Sequence, residues 1–320
     1  VAMAKHYELT GNIQDLELIT TYLNFILFCQ QENGTFLNYV DIDGNFMAKN
    51  SNENLEDSNG RAIWALGEFS AYENLFNASL IEKAQFAIEK SLKSITKFKS
   101  PRAIAFSIKG LFFYNLEQNK TRIKNLIIHL ADDLISKHRG ISDKTWNWYE
   151  DYLTYANSIL PEAMLYAAKS TGSELYRNTA KATFDFLLSL TFKNDQIKVI
   201  SNQGWHFKGR TAHNYGEQPI DVAYTILALD TFYDEFHEQE YKNKMTIAFD
   251  WFLGKNHLHQ IVYNPITGGC YDGLEEFQMN LNQGAESTVS YLMARLVFEQ
   301  KIVSEIETQL YDEVFQKVEE

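Results

Sequence analysis

Asp57, Glu150, Asp151, Glu217 and Glu286 stand where carboxylates could do chemistry, each just before or at the start of an apolar helical stretch. They occur in "NLEDSNGRAIW", "WYEDYLTYANS", "HNYGEQPID" and "NLNQGAEST". A cation and amides recur in or near those segments, as Arg61, Asn157, Gln218 and Gln283, with Asp221 and Asp272 nearby. Aromatics crowd the same loops: Trp146, Trp148, Tyr155 and Trp205. Flat rings beside multidentate acids and amides suit a pyranose, whose C–H faces stack while its hydroxyls take hydrogen bonds. Cleaving a glycosidic bond then needs two carboxyl groups, one protonated and one ionised. A helix N-terminus favours the ionised form, which suits Asp57 as a base. A proton donor needs an apolar setting to raise its pKa. Glu150 and Asp151, flanked by Trp148, Tyr149 and Tyr152, have the most apolar neighbours in the chain, so the expectation puts the donor and a stacking wall in 146–157.

A plainer reading stands beside this one. Acids at helix N-termini stabilise the dipole by about 0.3–1 kcal/mol each without any catalytic purpose. Asp221, three residues past Gln218, fits a capping box particularly well. Loop aromatics, likewise, often only pin a loop to its scaffold.

Positioning these groups is the task of two kinds of helix. One-sided helices recur over 15–29 and 121–138, and in "YRNTAKATFDFLLSLTF", "YKNKMTIAFDWFLGK" and "SEIETQLYDEVFQKV". Between them lie stretches apolar on nearly every face, over 61–69, 102–114, 161–170, 220–232 and 287–298, which should be buried. Pro101, Pro161 and Pro219 fall in the first turn of this buried class, where a missing N–H costs nothing, and Ser100 is a fitting N-cap. Asp57, Arg102, Asp151, Glu217 and Glu286, at the starts of the buried helices, are 45, 49, 66 and 69 residues apart. One step back, residues 1–11 read as a buried helix closed by Gly11. Six inner and six outer helices predict an all-α (α/α)6 toroid of six hairpins, with an open α-solenoid as the alternative. The long connections, 32–57, 138–157, 192–218 and 255–285, all precede inner helices and carry hairpin signals such as Asp43-Gly44 and Gln203-Gly204. One end of the ring is therefore elaborated, and function should sit there.

Bulk properties narrow the partners. A net charge of −13 without a basic run argues against nucleic acid and anionic membranes. No stretch reaches transmembrane length, and none reads as a signal peptide. Cys29 and Cys270 form no framework, which mildly favours a reducing cytoplasm. His257 and His259 form an HxH without a third ligand, so no metal or other cofactor is expected. Residues 1–320 are expected to form one barrel domain, and the start at Val1 is compatible with a fragment of a longer chain. Oligomeric state is not legible.

Four stretches carry a family resemblance: "EDSNGRAIWALGEF", "WYEDYLTYANSILPEAMLYAA", "GEQPIDVAYTILALDTF" and "GGCYDGLEEFQMNLNQGAESTVSYLMARL". Together they resemble an (α/α)6 domain of bacterial glycosyltransferase-like proteins, similar in architecture to six-hairpin glycosidases. The resemblance implies carbohydrate chemistry on a mono- or oligosaccharide. One departure is visible: "TYANSILPEA" stands where the family suggests an Asp-Asn-Ala-Arg type of segment, so Ala156 and Ile159 replace polar groups. Two functions stay open. One is a glycoside hydrolase, most simply inverting; the other is a non-catalytic sugar-binding or accessory module of a glycosyltransferase system. A terpenoid enzyme would need a DDxxD-type motif, which is absent.

Overall fold

A computed structural model describes residues 1–301. Its helices are α1 (Ala2–Thr10), α2 (Gln14–Cys29), α3 (Glu56–Ser70), α4 (Ala78–Ile95), α5 (Pro101–Asn115) and α6 (Thr121–Ile141). They continue as α7 (Ile159–Thr171), α8 (Glu174–Thr191), α9 (Pro219–Phe236), α10 (Gln239–Phe252) and α11 (285–301). Odd-numbered helices form the inner ring and even-numbered ones the outer. The expected twelfth helix, "SEIETQLYDEVFQKV", lies outside the described residues.

The ring closes, which excludes the open solenoid. Lys301 of α11 pairs with Asp230 of α9 at 3.4 Å, while Tyr291, Leu292 and Arg295 of α11 share a cavity wall with His6, Leu9 and Thr10 of α1. Local signals act as the sequence predicts at several ends. Ser100 Oγ accepts from Ala103 N with Pro101 behind it, and Gly11 and Gly172 close α1 and α7 in the left-handed region. Trp64 and Trp251, on α3 and α10, are buried.

Inner helices α3 and α5 approach so closely that their backbones touch at glycines. A Cβ on Gly67 would lie 2.0 Å from Gly110 O, and one on Gly110 would lie 2.4 Å from Ile63 O. Gly110→Ala is therefore expected to destabilise the fold by about 3 kcal/mol, measured by urea unfolding. Helix propensity alone gives the opposite sign, about 1 kcal/mol in favour of Ala. Backbone overlap wins because neither partner atom can move without its helix.

The long loops gather at the N-terminal ends of the inner helices, with short hairpins among them. Tyr152–Leu153 (β1) pairs with His206–Phe207 (β4), Phe192–Lys193 (β2) with Gln196–Ile197 (β3), and Gly273–Leu274 (β5) with Met279–Asn280 (β6). Gln203-Gly204 lies in a turn as expected, but the strands pair across Asn194 and Asp195, both with positive φ, and Asp43-Gly44 is spanned by the isolated bridge Val40–Phe46 rather than by strands. His206–Phe207 crosses over to the 146–157 segment and ties two distant loops together.

Candidate active site

Inner helices begin earlier than their apolar runs, and this decides which acids face the barrel. α3 starts at Glu56, so Asp57 and Arg61 share one face, four residues apart. On α9, Asp221 and Tyr224 are three apart; on α11, Glu286 and Ser290 are four apart. Arg61, Tyr224, Glu286 and Ser290 line a cavity of about 140 Å³ at the mouth of the barrel. Residues more than two hundred positions apart thus meet in one hollow.

Arg61 Nη1 donates to Tyr224 Oη at 2.7 Å, and its guanidinium lies over Phe106 and Tyr224 at 4.8 and 5.5 Å from the ring centroids. Burial pushes the Tyr224 hydroxyl up to about 12 against the pull of Arg61. Asp57 accepts from Tyr155 Oη and from Ser100 Oγ. Tyr155 in turn sits 6.4 Å from the half-buried Trp205, whose φ of 54° places it in the left-handed region.

Asp221 is the outlying carboxyl. It is buried, its Oδ1 accepts from Ala156 N at 2.6 Å, and its Oδ2 has no partner. Desolvation raises its pKa to about 7, opposed by the Ala156 N–H and then by Arg102 and Arg61, and aided by the nearby charge of Glu286. The expected capping box does not form: Gln218 makes no side-chain cap, and Asp221 reaches the 156 backbone instead. Ala156 adopts φ 48° to present that N–H. A position that the sequence marked as a lost polar group is therefore used through its backbone.

Several expectations for 146–157 are corrected. Trp148 is 0% exposed and Trp146 4%, so no sugar ring reaches them; Trp146 Nε1 donates to Glu150 O and pins the loop. Glu150 is buried against Arg102, with Nη1 to Oε2 at 2.8 Å, so its carboxylate serves as a salt-bridge partner rather than a free proton donor. Asp151 is exposed on the hairpin, where its carbonyl accepts from Lys208 N. Asn157 Oδ1 accepts from Thr154 N and Arg102 Nη2, which spends the amide on the turn. The cause is chain distance: Asp151 and Glu150 lie eight and nine positions before the first residue of α7.

The remaining candidates fall at the rim or behind it. Glu217 is buried, accepts from Trp251 Nε1 at 2.8 Å and faces His257 Nδ1 at 3.2 Å, so it latches α9 to α10. His257 Nε2 sits 2.7 Å from the Glu275 carbonyl; the carboxylate of Glu217 and that carbonyl raise its pKa. Asp272 Oδ1 accepts from Gly284 N, Gln283 Oε1 accepts from Thr267 Oγ1, and Gln218 is half-buried beside Glu217. Among the described residues no cluster of three or more His, Cys, Asp or Glu could hold a metal ion. Burial pushes the Cys270 thiol up to about 12, which leaves it a poor nucleophile. No described helix is long and apolar enough to cross a membrane.

The sequence singled out neither Tyr224, which lines the cavity, nor the role of Arg102 in holding the 150–157 turn. The three-residue step from Asp221 would have found the first. Arg102, placed right after Pro101, carried no signal of its inward direction.

No protein-family model matches this chain, and no curated protein matches it. Solved structures do. A D-mannose isomerase is 13% identical with a TM-score of 0.68, over 93% of this chain and 83% of the other. Cellobiose 2-epimerase from Spirochaeta thermophila DSM 6192 is 10% identical with a TM-score of 0.66, over 93% and 84%. A GH76 alpha-mannanase from Bacteroides thetaiotaomicron is 14% identical with a TM-score of 0.61, over 95% and 85%. The glycosyltransferase-like label finds no support in these likenesses. The chain is an (α/α)6 barrel similar in fold to sugar isomerases, epimerases and glycan hydrolases.

Proposed function

We propose that this chain is a carbohydrate-active enzyme that hydrolyses a glycosidic bond at the mouth of the barrel, with inversion. The observation that carries the reading is Asp221, a buried carboxyl between the cavity-lining Ile220 and Ala223, with one unpartnered oxygen and a pKa raised to about 7 within the electrostatic reach of Arg61 and Glu286. A carboxyl that keeps its proton near neutrality can give it to a leaving oxygen. Glu286, exposed and lining the cavity, is the acceptor for a proton from water. In turnover the Asp221 proton passes to the glycosidic oxygen, that C–O bond breaks, and water adds to the opposite face of the anomeric carbon as Glu286 takes its proton. Asp221 then regains a proton from solvent and Glu286 loses one. Arg61 and Tyr224 hold ring hydroxyls, Asp57 fixes Tyr155, and Trp205 offers a partly open ring at the rim.

Proton NMR on a panel of aryl glycosides tests this reading. Release of the opposite anomer first is the expected result. Retention of configuration would replace water activation with a covalent route, and interconversion of free sugars without any hydrolysis would favour an isomerase or epimerase reading.

A further inference from the structure

We infer that the ring bound in the mouth is a 6-deoxyhexose, with its methyl group turned toward the barrel floor; this deepens the hydrolase reading and rests on it for turnover, though not for binding. Depth along the cavity follows helix register. Ile220 and Glu286 stand at the rim of α9 and α11, and Leu227 and Met293 lie seven residues further along the same helices. Seven residues of helix are about 10 Å. Polar groups are concentrated toward the rim: Glu286 and Arg61 each belong to the first or second turn, and Tyr224 Oη is engaged with Arg61. Ser290 is the deepest hydroxyl in the lining, one turn above Met293. At the floor, Leu227 and Met293 carry no hydrogen-bond donor or acceptor of ordinary strength, and both are buried but for the surface they give the cavity. Ala223 and Val289 extend this apolar surface upward.

The inferred pose keeps the ring hydroxyls on Arg61 and Tyr224 and directs the C6 substituent of a hexose down to Leu227 and Met293. A hydroxyl there would lose its water and gain no partner, which is costly. A methyl in its place is favourable, since it buries apolar surface on apolar surface. Discrimination against an added hydroxyl by an apolar pocket runs to about 10–100-fold.

The test uses matched pairs that differ only at C6. Initial rates are measured for aryl D-fucosides against D-galactosides and for aryl rhamnosides against mannosides of the same configuration. Calorimetry with the corresponding free sugars is run in parallel. For the accepted configuration, kcat/KM and binding should both favour the 6-deoxy sugar by about 10–100-fold. Met293→Ser, which supplies a partner at the floor, should bring the pair close to parity. Equal or better use of the hexoside, preference for an N-acetylhexosaminide, or an unchanged ratio in Met293→Ser would overturn the inference. Should no glycoside be cleaved, the hydrolase reading falls by itself. Calorimetry then decides the sugar class alone, and absent or equal binding of the two free sugars overturns the inference.

Discussion

Asp221→Asn is expected to lower kcat by about 10³-fold while leaving KM within a few-fold, because the amide keeps the hydrogen bond from Ala156 N but has no proton to give. The same variant should be more stable than the parent at pH 8. The sign follows from the shift: the folded pKa, about 7, lies above the ordinary 3.8 of aspartate. Between those values the folded chain binds more protons than the unfolded one, so stability falls as pH rises. The ionised side chain costs the fold on the order of 4 kcal/mol once pH exceeds the folded value. Urea unfolding at pH 4 and pH 8 should therefore show a gap between variant and parent that opens with pH. A gap independent of pH would mean that Asp221 is already ionised in the fold, which removes it as proton donor. A residue that costs stability at neutral pH, yet is held by a strained Ala156, has the signature of a functional group.

Arg102→Met is expected to destabilise the barrel by about 3–5 kcal/mol, since it strands Glu150 as a buried unpaired charge. Arg102 also donates from Nε to Tyr155 O at 2.8 Å and from Nη2 to Asn157 Oδ1 at 3.3 Å, so one side chain gathers the whole 150–157 turn. The double variant Arg102→Met/Glu150→Leu should recover much of the loss, because both charges leave together. Equilibrium urea curves on the two variants separate the pair from simple packing. A double variant as unstable as the single one would show that Arg102 acts through the turn rather than through Glu150. Activity should fall in both, since Tyr155 and its contact to Asp57 depend on the same turn.

The two results divide the acids by environment. Glu150 is engaged by the Arg102 guanidinium and serves the scaffold. Asp221 is bonded only by a backbone N–H, and desolvation outweighs the nearby Arg102 and Arg61 and raises its pKa, which leaves it available for chemistry. Both kinds occur within residues rich in aromatics, so composition around an acid does not separate them. Glu150 has the more apolar neighbours in sequence, but Asp221 is the more deeply buried of the two in the fold.

Periodicity along the chain determined the alternation of inner and outer helices, the elaborated end, the use of Ser100, Pro101 and Gly11 at helix ends, and the meeting of Arg61 and Glu286 in one cavity. Those features are local or repeat with a fixed step, and burial of an all-apolar helix leaves few arrangements open. Tertiary structure alone decided the partner of each charged group. Arg102 lies 48 residues from Glu150 and Asp221 lies 65 from Ala156, and no spacing rule links such pairs. It also sent Trp146 and Trp148 inward and left Trp205 partly open, because a loop aromatic buries its area wherever a neighbouring helix leaves room, and that room is a property of the closed ring.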